Sequence, residues 1–103
     1  FWGVQAEAAS ALAEQRSDRA RDALVAALRV KHPKARRAVA RALGSFRDLK
    51  AASALRPLAE RDASYFVEAE AVGAFAQALR SSPERGDELE GFLVRKLGSE
   101  SYL

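Results

Sequence analysis

Cysteine and methionine are absent, histidine occurs once and proline three times in 103 residues. Without cysteine there is no disulfide and no thiolate metal site, and such a chain fits a reducing compartment, so a cytoplasmic location is expected. With His32 as the single histidine no HExxH zinc motif can be written, and no GxSxG nucleophile motif is present. Asp87, Glu88 and Glu90 fall close together, but without a second cluster or a Gly-bearing calcium loop they read as a solvated helix face. His32, in a turn before Pro33, reads as a surface residue rather than a ligand. No apolar run approaches the roughly 18 residues of a membrane span, and no basic-then-apolar leader occurs. The expectation is a chain without catalytic, metal or cofactor chemistry of its own and without membrane contact.

What the sequence has in quantity is alanine, the strongest helix former and the side chain that lets helices approach closely. It also has a period. Set 31 residues apart, Leu12 falls on Leu43, Ala11 on Ala42, Ala9 on Ala40 and Leu24 on Leu55. Set 32 further on, Leu43 falls on Phe75, Ala42 on Ala74 and Ala35 on Val67. Two helices per unit of this length mark an α-solenoid. The expected fold is all-α, a right-handed α-solenoid of about three helix pairs. Its repeats span about residues 1–32, 33–63 and 64–100 and form a single domain. Ser101-Tyr102-Leu103 echoes Ser64-Tyr65-Phe66, where the third unit opens, so a fourth repeat is expected to begin at 101–103. Together with a start at Phe1-Trp2, this reads as a fragment of a larger protein.

In the first unit Val4, Ala8, Ala11 and Leu12 recur at helical spacing and predict a helix over 3–15. Ser17-Asp18 is a capping signal for a second helix to about residue 30, with Ala20, Leu24, Ala27 and Leu28 buried. His32-Pro33 ends it, because the residue before a proline avoids the helical region. Pro33 suits the first turn of the next helix, whose inner stripe is Ala35, Val39, Ala42 and Leu43 and whose stop is Gly44 near the C-cap. Phe46 and Leu49 anchor the turn. Asp48 caps a helix to about residue 61 that Pro57 is expected to kink or fray. Ser64 caps a helix over 65–80, with Phe66, Val67, Ala71, Ala74, Phe75 and Leu79 toward the core. Ser82-Pro83 reads as a cap and first helical position for the last helix, which carries Leu89, Phe92, Leu93 and Leu97 and ends at Gly98. Gly86 and Gly91 weaken it by about 1 kcal/mol each.

The pattern VxxEAAxALxxxxxxxAxxALxxAL resembles the short bacterial HEAT-like repeat. In the first unit it is carried by Val4, Glu7, Ala8, Ala9, Ala11, Leu12, Ala20, Ala23, Leu24, Ala27 and Leu28, and equivalent residues carry it in the other two. A narrower likeness lies in the repeat-opening words FWGVQAEAA at 1–9 and SYFVEAEAVGA at 64–74. They are similar to repeat openings in the C-terminal HEAT-like region of bacterial M1-family zinc aminopeptidases. That resemblance implies a helical arch packed on a peptidase domain and restricting access to its site. The zinc motif lies in another domain of that family, so no catalytic residue carries over.

The net charge of +3 conceals a division. Residues 29–50 carry eight Lys or Arg and one acid, whereas residues 60–90 carry eight acids and three Arg. Lys31, Lys34, Arg36, Arg37 and Arg41 are the candidate phosphate contacts of a nucleic-acid-binding alternative. In solenoids of this kind the second helix of each pair usually lines the concave face. Its outward ridges here are Arg21/Ala52/Gly86, Val25/Arg56/Glu90 and Arg29/Glu60/Val94, mixed in sign rather than basic. Most of the basic run falls instead on the first helix of the second unit, hence on the convex side, where Arg36 and Arg37 are expected to face Glu68 and Glu70 of the third, with Glu7 on the other side. The segregation therefore reads as pairing between repeats.

The candidate interaction surface is Trp2, Arg21, Val25, Arg29, Arg56, Glu60, Glu90 and Val94. Trp2, Tyr65 and Tyr102 recur at repeat openings as turn-packing residues or as an edge ladder, with Trp2 the most exposed. The function expected is a non-catalytic scaffold whose partner is a neighbouring domain or another protein, including the arch of an M1-type metallopeptidase.

Overall fold

The computed structural model of the chain describes residues 1–82 and 86–98. Six helices follow one another: α1 Trp2–Gln15, α2 Asp18–Ala27, α3 Pro33–Gly44, α4 Leu49–Glu60, α5 Tyr65–Ser81 and α6 Asp87–Leu97. Among the described residues there is no strand. The chain is an all-α helical-repeat solenoid.

The starts of α2, α3, α4 and α5 are set by side chains that satisfy free backbone N–H groups. The Ser17 hydroxyl accepts from the Ala20 N–H at 3.0 Å, Asp48 Oδ1 from Ala51 at 2.7 Å and the Ser64 hydroxyl from Val67 at 3.4 Å. His32 does the same for α3, its Nδ1 accepting from the Lys34 N–H at 3.1 Å, with Pro33 in the first helical position. The expected surface histidine is thus also a cap. Helix α2 stops at Ala27, three residues earlier than its expected end. Helix α4 runs through Pro57 to Glu60, although proline has no N–H to donate to the carbonyl of Ser53, an exposed residue.

Leu24, Leu43, Leu55, Val39, Val67 and Phe75 are the largest fully buried side chains, and Phe75 meets Phe92 edge-on at 5.3 Å. Between them alanines fill the helix contacts: Ala35, Ala40, Ala51, Ala52, Ala59, Ala71 and Ala78 have no exposed surface. These small residues let α1, α3 and α5 lie along one another and let α5 pack closely on α4, while α2, α4 and α6 meet only loosely. Gly44 belongs to this close packing. No glycine among the described residues has positive φ, and α3 closes on Ser45 in the right-handed region. A Cβ on Gly44 would lie 2.7 Å from Ala74 Cβ and 2.8 Å from its Cα. Helix α3 thus ends at Gly44 as expected, but the glycine is required there by the approach of α5 and not by a left-handed cap.

Three further expectations are corrected. Val4 is 68% exposed and Ala8 and Ala11 are also exposed, whereas the equivalents Ala35 and Val67, Val39 and Ala71, Ala42 and Ala74 are buried. The stripe is real, but its outer side has no preceding repeat against it among the described residues. Phe66 and Leu97, expected in the core, are 68% and 84% exposed, Phe66 at the helix edge beside Pro33 and Leu97 at the end of α6. Finally, α6 begins at Asp87 with Gly86 at the N-cap, and Ser82 closes α5 instead of opening α6. A Cβ on Gly86 would fall 2.7 Å from Leu79 and 3.0 Å from Leu49, so this glycine admits two leucines at the helix entry instead of weakening a helix interior. Pro83 and residues 99–103, with the expected fourth repeat and Tyr102, lie outside the described residues.

Candidate functional site

Three of the five candidate phosphate contacts in the basic stretch, Arg36, Arg37 and Arg41, are paired with carboxylates. Arg36 makes a bidentate pair with Asp62, Nε to Oδ2 at 2.9 Å and Nη2 to Oδ1 at 2.8 Å, and its Nη1 donates to the Val30 and Lys31 carbonyls at 3.0 and 2.9 Å. It thereby ties the turn before α3 to the turn after α4. Asp62 Oδ1 also accepts from the Ser64 N–H at 2.8 Å, an Asx turn that orients it. Arg37 and Arg41 both pair with Glu70 of α5 at 3.0 Å. Pairing between the second and third repeats is as expected for Arg37, but Arg36 reaches Asp62, Glu68 pairs with Lys96 at 3.2 Å, and Glu7 is simply exposed. Lys31 and Lys34 remain exposed, with the Lys34 ammonium 5.0 Å from the Trp2 ring centre.

Glu70 reports on this pairing through its acidity. Partial burial raises its pKa, but hydrogen bonds from Arg41 and then Arg37 outweigh that, and the net shift is downward. A carboxyl with a folded pKa below its unfolded one contributes stability that is fully present above the unfolded value. That contribution is lost as pH falls through the folded value. Glu70→Gln is therefore expected to flatten the acid side of the stability profile. Urea midpoints measured stepwise from neutral to acid pH check this, and identical profiles for both proteins would contradict the pairing.

Several ridge residues are placed differently from expectation. Arg21, expected at an interaction surface, is only 5% exposed. It pairs with Asp48 at 3.0 Å, Asp22 at 3.0 Å and Asp18 at 3.2 Å, because α2 and the N-cap of α4 converge on it. The hydrogen bond that Arg21 donates to Asp48, foremost, raises its pKa against the opposing effect of burial. Val25 is half-buried against the core, while Arg29, Glu90 and Val94 are exposed. Trp2 is half-buried, stacked on His32 at 5.6 Å and on Phe1 at 6.2 Å. It is a turn-packing residue, and the expectation that it is the most exposed of the ladder is corrected. Tyr65 is exposed and lies edge-on to Phe66 at 5.9 Å.

Arg56 and Glu60 lie side by side on α4. They pair at 3.2 Å, and Arg56 also reaches Glu88 of α6 at 3.0 Å while its guanidinium lies 5.0 Å above the Phe92 ring centre. Because α4 and α6 stand apart, a groove of about 580 Å³ opens between them. Arg56, Pro57, Glu60 and Arg61 form one wall, and Phe92, Arg95 and Lys96 form the other. Lys96 crosses it to the Glu60 carbonyl at 2.9 Å. A second hollow of about 310 Å³, almost wholly apolar, lies at the end of the stack between Val72, Leu93 and Leu97.

Sequence reasoning missed Arg16, Asp62, Arg61, Arg95 and Lys96. Arg16 had a signal, since Arg47 occupies the equivalent place 31 residues on, each one residue before a helix cap. It takes the left-handed conformation at φ 58° after α1, held by hydrogen bonds to Ser45 and by a stack on Phe46 at 4.9 Å. The others had no local mark.

Among the described residues no group of three or more His, Asp or Glu side chains could hold a metal ion, and no helix is long and apolar enough to cross a membrane. No curated protein and no solved structure matches the chain. The family model of HEAT repeats matches residues 1–85, which takes in the first five helices and both of the inter-repeat junctions tied by Arg21 and Arg36. The chain belongs to the HEAT-repeat family.

Proposed function

We propose that this chain is a non-catalytic helical-repeat scaffold for contacts with a neighbouring domain or another protein. HEAT repeats generally act as scaffolds for protein interactions. The observation that carries the reading is the contrast between interior and terminal rungs. Val4, Ala8 and Ala11 are exposed where their equivalents in the next two repeats are buried, and Val72, Leu93 and Leu97 line an apolar hollow at the other end. Apolar helix faces of this kind suit contact with another helical surface, whether a further repeat, a neighbouring domain or another protein. Val4→Glu with Leu97→Glu is expected to shift the chain toward monomer in sedimentation velocity, where the unaltered chain associates increasingly with concentration. A monomeric unaltered chain at every concentration would overturn the reading.

The narrower identification of the neighbour as an M1-type peptidase domain rests on the repeat-opening words at 1–9 and 64–74. A parent reading frame with no HExxH domain rejects it. The alternative, a nucleic-acid-binding module using residues 31–50, has to work with fewer cations than the sequence offers, since Arg36, Arg37 and Arg41 are paired. Phosphate-backbone affinity grows with the number of free cations it neutralises. Lys31→Ala with Lys34→Ala is expected to leave duplex-DNA binding at physiological salt unchanged and weak. A marked loss of tight binding would favour the alternative.

A further inference from the structure

The groove between α4 and α6 holds cations of two kinds. Arg56 and Lys96 are already engaged, the first by Glu60, Glu88 and the Phe92 ring, the second by Glu68 and the Glu60 carbonyl. They make fixed walls. Arg61 and Arg95 are exposed on opposite walls and form no ion pair among the described residues. Pro57 adds exposed apolar surface on the α4 side, and the Phe92 ring forms the floor under Arg56.

We propose that this groove is a docking site for an acidic segment of a partner protein that also carries an apolar side chain. The carboxylates pair with Arg61 and Arg95, and the apolar group lies against the exposed ring of Pro57. The inference rests on the protein-binding reading above and names the chemistry of the partner. Charge complementarity selects the occupant, because the uncommitted groups are guanidinium ions with a planar fork that matches a carboxylate. Two free cations in a short groove suit one or two acidic side chains. Duplex nucleic acid gains its affinity from many phosphate contacts along a strip, and Glu60 and Glu88 flank this groove with negative charge.

The test uses fluorescence anisotropy of the whole chain with a labelled peptide of alternating Glu and Leu. The Gln-for-Glu peptide and a duplex DNA are the comparison probes. The Glu peptide is expected to bind saturably and to lose affinity with added salt. Arg61→Ala with Arg95→Ala is expected to weaken it by about tenfold, while Lys31→Ala with Lys34→Ala leaves it unchanged. Both arginines are exposed, and unchanged circular dichroism confirms the fold of the variant. Equal binding of the Gln peptide, an unaffected affinity in the arginine variant, or tighter binding of the duplex through the same arginines would each overturn the proposal. Since Val4 and Leu97 lie outside the groove, failure here is separable from failure of the end-face contacts.

Discussion

Replacing Arg36 with alanine is expected to lower the unfolding free energy by about 3 kcal/mol, because it strands a nearly buried carboxylate. The Asp62 side chain is 8% exposed and that of Arg36 14%. Three consequences follow from the one deletion. Asp62 loses a bidentate partner, the Val30 and Lys31 carbonyls lose a donor, and the two turns flanking the second repeat lose the contact that this side chain makes between them. Ser64 still donates to Asp62, which limits the cost. The pair itself is not expected to be worth that much. Changing both residues to leucine removes the stranded charge, so the double variant is expected to recover part of the loss. Urea unfolding of the two single variants and the double variant measures this. A loss below about 1 kcal/mol in the single arginine variant is the value ordinary for an exposed pair, and it would show that the staple is not buried in solution.

Gly44→Val is expected to cost about 3 kcal/mol through overpacking, and Gly44→Ala is the sharper case because its sign is at stake. Helix propensity alone predicts that alanine stabilises by about 1 kcal/mol. The added Cβ would instead lie 2.7 Å from Ala74 Cβ and 2.8 Å from Ala74 Cα, and the second of these is backbone that cannot rotate away. Helices α3 and α5 must separate, and their alanine contacts loosen with them. A net destabilisation is therefore expected, rescued only in part by Ala74→Gly. Thermal or urea unfolding decides it. A stabilised alanine variant would restore the reading of Gly44 as a mere helix stop.

What could be read from the sequence divides along the range of the interaction. Ser17, Asp48 and Ser64 cap helices through contacts three residues away, and the period of 31 to 32 placed the core positions of the second and third repeats. The assignment of the basic run to pairing between repeats was legible because Glu70 follows Arg37 by nearly one period. Which carboxylate each cation takes was not. Arg36 and Asp62 are brought together by the path of two turns, and Arg21 is buried because α2 converges on the cap of α4. Gly44 misled for a related reason, since glycine near a helix end serves either a C-cap or a close approach, and only the position of Ala74 distinguishes them. Helix α1 failed in the opposite direction. Its stripe has the right period, yet burial of Val4, Ala8 and Ala11 depends on a neighbouring repeat that the local pattern does not contain. The groove was half visible. Arg56 and Glu60 lie one turn apart on neighbouring ridges, but Arg61, Arg95 and Lys96 join them only because the even-numbered helices stand apart.

Arg37 and Arg41 join the second repeat to the third through Glu70. The most direct measurement is a double-mutant cycle on Arg41 and Glu70, with urea unfolding of the single alanine variants and the pair at low and high salt. A coupling of about 0.5–1 kcal/mol that shrinks as salt screens it is the predicted result. Strictly additive losses, the same at both salt concentrations, would contradict this pairing and return the basic stretch to the role of a free surface.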